Sequence, residues 1–155
     1  MPSSRPRLLA GGCQCGAVRY ALFAMPDNAS ICHCRMCQKA TGGYFGAFAG
    51  VSYSDIEWTR GSPAAFRSSE LIDRGFCRDC GTPLFFGYRD KDRISIAIPT
   101  LDEPGRVPPR MQYGVESRLP DFATLHLLPE KTTEQSTPAE RLPRLASRQH
   151  PDHDT

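Results

Sequence analysis

The sequence predicts a single, mainly β domain with short helical turns, and three observations predict it. The 155 residues include 13 glycines and 14 prolines, so apolar stretches are short and bounded by turn signals. Those stretches alternate with a period of two: Ile94, Ile96 and Ile98 stand against Ser95 and Ala97, the pattern of a strand with one buried face. All seven cysteines fall into three tight groups, Cys13/Cys15, Cys32/Cys34/Cys37 and Cys77/Cys80. Groups so placed could cross-brace a small β domain.

Residues 1–8 read as a loose arm rich in Pro, Ser and Arg, residues 9–128 as the domain, and residues 129–155 as a disordered polar tail without periodicity. Within the domain, Gly11–Gly16 is a glycine-bracketed turn around the first two cysteines. Strands are expected over 17–23, 29–32, 44–51, 56–60 and 64–68. Further strands are expected over 71–76, 84–88, 93–98 and 111–117. Arg35–Thr41 should wind into one or two helical turns that Gly42-Gly43 ends.

Composition excludes some classes of function. A net charge of +2 gives no basic field for nucleic acid, and no apolar run is long enough to span a membrane. Leu8-Leu9-Ala10 is too short for the core of a signal peptide. A cytoplasmic protein with reduced or metal-bound cysteines is expected.

The cysteines carry the chemistry. Cys-x-Cys neighbours cannot bond to each other without strain, whereas thiolate ligands of zinc use such spacings. Joining the two outer pairs through one ion would give a closed shell: Cys13, Cys15, Cys77 and Cys80. Cys32, Cys34 and Cys37 would then hold a second ion with its fourth position open, as a catalytic zinc requires. Two zinc ions per chain are therefore expected. If the chain winds after Cys34, Cys37 returns beside it. His33, between two ligands of an extended segment, should point away from them. His126, His150 and His153 are expected in the core or the tail.

Gly12–Tyr20, Cys32–Lys39 and Phe76–Leu84 together resemble the GFA family, the glutathione-dependent formaldehyde-activating enzymes, whose domain the CENP-V proteins share. Val115–Pro120 resembles the family's late signature. The resemblance implies a zinc-stabilised β-tent fold, a structural zinc on the outer pairs and a catalytic zinc on the middle three cysteines. It also implies a carbon–sulfur lyase like S-hydroxymethylglutathione synthase, joining glutathione and formaldehyde reversibly. The sequence departs from the family at Gln112 and Gly114, where His and an aromatic residue are usual, and at Asp121, where an aromatic is common.

A small thiol such as glutathione and a small aldehyde are thus the expected partners. Arg35, Lys39 and Arg118 are candidates to meet carboxylates of the thiol, and Glu116 to shuttle a proton or pair with Arg118. Tyr44, Phe45 and Phe48 would wall a pocket or fill the core. Two rival classes are a zinc-dependent interaction module with closed sites and a thiol redox protein using Cys77 and Cys80.

Overall fold

The computed structural model describes residues 5–153 and is mainly β, as expected, with two sheets and short helices. Strands β1 (Leu9–Gly12), β2 (Arg19–Leu22) and β5 (Ile56–Arg60) form a three-stranded antiparallel sheet in the order β1-β2-β5. A second sheet takes β3 (Asp27–Cys32), β4 (Gly46–Val51), β6 (Ala64–Arg67) and β7 (Ile72–Phe76). It also takes β8 (Pro83–Tyr88), β9 (Ile94–Ala97) and β10 (Met111–Tyr113), in the order β10-β3-β4-β9-β8-β7-β6. Its pairs are antiparallel except β10 with β3, which are parallel and set Tyr113 opposite Cys32.

Period-two alternation decides what each face of the larger sheet covers. Ala49, Val51, Ile94, Ile96 and Leu84 join Tyr20 and Leu22 of the smaller sheet in the main core. Phe48 and Ala97 alternate with these residues and, with Phe86, face the other way and pack against Cys32, Cys34 and Cys37. The domain core and the middle cysteine group therefore lie on opposite faces of one sheet. Tyr20 is fully buried, and its hydroxyl meets Thr100 Oγ1 at 2.8 Å. Its ring stands edge-on to Trp58. Burial pushes the Tyr20 hydroxyl well above the ordinary phenol pKa.

Two stretches differ from the expected elements. Leu9–Gly12 is a strand, paired with Arg19–Leu22. The glycines that signal a turn also permit close approach: a Cβ on Gly11 would lie 2.5 Å from the Thr100 carbonyl and the Tyr20 hydroxyl. The last expected strand stops at Tyr113, because Gly114 takes a left-handed conformation and starts a 3-10 turn over Val115–Ser117.

The ends of the chain also make contacts. Arg5 pairs with Asp55 at 2.5 Å, while residues 1–4 of the expected arm lie outside the described residues. In the polar stretch after residue 129, α2 (Thr133–Ser136) is closed by a Thr132/Gln135 capping box. Farther on, the His150 N–H donates to the Gln14 carbonyl at 2.7 Å. Among the described residues, no helix is long and apolar enough to cross a membrane.

Candidate metal centres

The structure draws the sulfurs of Cys13, Cys15, Cys77 and Cys80 into one group, with all ligand atoms within 4.8 Å of one another. Cys13 follows β1 and Cys77 follows β7, so the group joins the two sheets. Cys13 and Cys15 sulfurs are 3.6 Å apart, and those of Cys15 and Cys77 are 3.9 Å apart. Tetrahedral zinc with bonds of about 2.3 Å places its sulfur ligands about 3.8 Å apart, so the donor set fits such an ion. Backbone and hydroxyl donors aim at these sulfurs: Val18 N–H reaches Cys13 Sγ at 3.2 Å, and Thr82 Oγ1 lies 3.1 Å from Cys80 Sγ.

Cys32, Cys34 and Cys37 form the second group, again within 4.8 Å. Cys32 is the last residue of β3. Cys34 caps the N-terminus of α1 (Arg35–Thr41), accepting from the Cys37 N–H at 3.3 Å. Cys37 lies in the first turn of that helix and is buried. A strand end, a helix cap and a helical turn thus converge three sulfurs, which also suit a soft or borderline ion.

The thiols of each group titrate unequally. Cys15 accepts from the Ala17 N–H, which lowers its pKa, but desolvation and the neighbouring sulfurs raise it more, to about 12. Burial raises Cys80, yet its bonds to Thr82 and the Cys15 backbone outweigh this and bring it to about 6. Burial, with Cys34 and Cys37 close by, pushes Cys32 up to about 12. Cys34 is likewise raised by burial, but backbone N–H groups of the following turn and its neighbouring thiols draw it below the ordinary thiol value. Sulfurs this crowded resist losing all their protons together. A cation among them removes that obstacle.

His33 is not part of either sulfur group. It is fully buried, with its ring edge-on to Phe122 at 4.8 Å and to Phe45 at 5.9 Å. Its Nε2 lies 2.9 Å from Gln112 Oε1. That oxygen can only accept, so Nε2 carries the proton and Nδ1 is buried with no partner. Gln38, which is buried too, donates Nε2 to the His33 carbonyl at 2.5 Å and to the Ser117 carbonyl at 2.9 Å. The two glutamines join the late segment to the cysteine segment. Gly114 completes this contact: at φ +63° a Cβ there would stand 2.7 Å from Cys34 N. Two of the three departures from the family pattern therefore abut the cysteine group, while Asp121 is exposed.

Arg35 and Lys39 are exposed and share the wall of a cavity of about 400 Å³ with Met36, Ala40, Phe66 and Ser68. Arg35 donates to Gln38 Oε1. Arg118 does not line that cavity. Glu116 and Arg118 are both exposed, and among the described residues they form no ion pair with each other. Tyr44 is largely exposed, Phe48 packs on Cys37, and Phe45 packs on His33.

Sequence reasoning missed Arg74. It is buried in β7, and its Nη2 lies 3.4 Å from Cys37 Sγ. One signal could have found it. Arg74 occupies the alternation position between Ile72 and Phe76, where an arginine on an apolar face calls for a partner.

Fold and site define a two-sheet β domain carrying one four-thiol and one three-thiol centre. The model of the glutathione-dependent formaldehyde-activating enzyme family matches residues 8–117, and the chain belongs to that family. It is 30% identical over 78 residues to an uncharacterized lyase of Schizosaccharomyces pombe, across 50% of this chain and 56% of that one. The chain thus matches little more than half the length of this relative. A crystal structure of a Rhodobacter sphaeroides protein, a structural-genomics target, shares the fold. It superposes with a TM-score of 0.54 at 22% identity, covering 66% of this chain and 98% of that one.

Proposed function

We propose that the chain is a zinc-dependent carbon–sulfur lyase acting on the adduct of a small thiol and a small aldehyde. S-hydroxymethylglutathione is the first candidate, on family membership. One observation carries the reading: three sulfurs converge at the β3–α1 junction while the other four cysteines gather elsewhere. Three protein ligands leave a tetrahedral ion one position for a substrate sulfur. A zinc held there would favour the thiolate of an incoming thiol and polarise a carbonyl.

The chain's own residues supply the rest. Cys32, Cys34 and Cys37 hold the catalytic ion, and Cys13, Cys15, Cys77 and Cys80 hold a structural one. Arg35 and Lys39, on one cavity wall, attract the carboxylates of a thiol such as glutathione, and Arg118, outside that cavity, is a third candidate cation. Glu116 moves the proton between thiol and aldehyde oxygen. It stands on the turn that Gln38 ties to α1 through Ser117. Phe48, packed on Cys37, keeps water from one side of the sulfurs. The reaction adds the S–H of the thiol across the carbonyl, or reverses that addition, without an external oxidant. The sulfur spacings around Cys77 and Cys80 favour a metal over a free redox dithiol.

Cobalt substitution tests the reading. Glutathione should perturb the ligand-field bands of the wild type but not those of Cys37→Ser. NMR should then show faster exchange among glutathione, formaldehyde and their adduct than in buffer. If no thiol reaches the metal, the lyase reading fails. If thiols bind without faster exchange, only the substrate assignment is lost.

A further inference from the structure

Arg74, the arginine buried against the three-cysteine centre, takes no part in the proposed chemistry. Its side chain is held at three points. Nη2 donates to Cys37 Sγ at 3.4 Å, and Nε donates to Ser68 Oγ at 3.0 Å. The guanidinium carbon lies 5.6 Å from the centroid of the Phe86 ring, opposite which Arg74 sits in the β7–β8 register.

Only 7% of Arg74 is exposed. Among the described residues, no carboxylate forms an ion pair with it. A buried guanidinium stays charged, and an uncompensated buried charge is costly. Its counter-charge must therefore come from what it touches, and it touches a thiol sulfur. Three thiolates around a divalent ion carry one excess negative charge, which Arg74 cancels. Arg35 and Lys39 are exposed, so solvent screens whatever they contribute.

We infer that Arg74 is a positioning residue for the three-cysteine centre, the internal cation that balances it and orients Cys37. Three consequences follow from its place in the fold. The bond to Ser68 and the stacking on Phe86 fix the guanidinium before any ion arrives. The N–H donated to Cys37 draws electron density from that sulfur, which leaves a bound ion a stronger Lewis acid. Finally, β7 carries Arg74 three residues before Cys77, so one strand supports both centres.

The inference rests on metal binding at Cys32, Cys34 and Cys37, and its test needs neither thiol nor aldehyde. Wild type, Arg74→Met, Arg74→Gln and Arg74→Lys are loaded with cobalt and challenged with a competing chelator. Metal content and the near-ultraviolet sulfur-to-cobalt bands are followed. Loss of a partner around a metal ligand commonly costs about 10- to 100-fold in affinity. Arg74→Met and Arg74→Gln should lose the ion of the three-cysteine centre at correspondingly lower chelator concentration, with that centre's charge-transfer band moved to longer wavelength. Arg74→Lys, which keeps the charge, should lie nearer wild type in retention, and the four-cysteine centre should hold its ion throughout.

Wild-type retention and spectra in Arg74→Met or Arg74→Gln overturn the inference. So does equal loss from both centres, which would mark Arg74 as a general stabiliser of the fold. If Arg74→Met fails to fold, the Gln and Lys pair decides, and equal behaviour of those two also overturns it. Failure of wild type to take an ion at the three cysteines would instead sink the proposed function itself.

Discussion

Gly114 shows how a single residue can be fixed by the centre it flanks. Its φ of +63° lies in the region that side chains disfavour, and a Cβ would stand 2.7 Å from Cys34 N and 3.0 Å from Cys34 Cβ. Gly114→Ala should therefore displace the Cys34 turn, with a backbone cost of roughly 1–3 kcal/mol. Metal analysis should show the ion of the three-cysteine centre lost more readily, with the four-cysteine ion kept. Undiminished retention would mean that the late segment yields instead. The cysteine triplet and the two pairs were legible because their members are close neighbours in sequence, and the joining of the two pairs, 62 residues apart at Cys15 and Cys77, because a closed tetrahedral shell needs four ligands. The partners of His33 and Cys37 were not: Gln112 is 79 residues from His33, and Arg74 is 37 residues from Cys37. No periodicity in the chain announces contacts that distant in sequence.

At the scale of elements, the two centres should contribute differently to stability. Cys13 and Cys77 extend from strands of different sheets, so an ion shared between them would clamp the fold. A structural zinc contributes on the order of 10 kcal/mol in small zinc peptides. Cys77→Ser should accordingly lower the melting temperature sharply. Cys34→Ser should lower it far less while abolishing thiol binding. Calorimetry of the two variants, with metal counted in each, separates these outcomes, and equal losses would count against a structural role for the outer pairs.

The same clamping logic applies to Arg19 and Asp102. Arg19 is 2% exposed and grips Asp102 through two bonds of 2.9 Å and 2.6 Å. Asp102→Ala removes the carboxylate while the guanidinium stays buried, a change that typically costs about 3–5 kcal/mol. Urea unfolding should show that loss. A midpoint near that of wild type would mean that Arg19 reaches solvent without cost. Most strands were legible from period-two alternation, and Ile56–Arg60 was expected with the bounds it has. The strand Leu9–Gly12 was hidden because glycine carries no alternation. Its pairing depends on Tyr20 and Thr100 packing where side chains would otherwise stand.

For the whole molecule, the open question is how far the polar stretch after residue 129 belongs to the domain. Its composition offers little apolar surface to bury, and α2 lies in an exposed segment. Yet His150 bonds to Gln14, between the first two cysteines, and Arg19 Nη2 donates to the His153 carbonyl at 3.2 Å. Each of these hydrogen bonds is worth about 1 kcal/mol net, and Arg19 also holds Asp102 through two bonds of its own. Removing residues 131–155 should therefore leave two ions bound. The melting temperature should fall by roughly 4–8 °C, because each lost bond of about 1 kcal/mol shifts a domain of this size by roughly 2–4 °C. Thermal unfolding with metal stoichiometry measures both. A fall well beyond about 10 °C, or release of the four-cysteine ion alone, would show that the end of the chain is part of that centre.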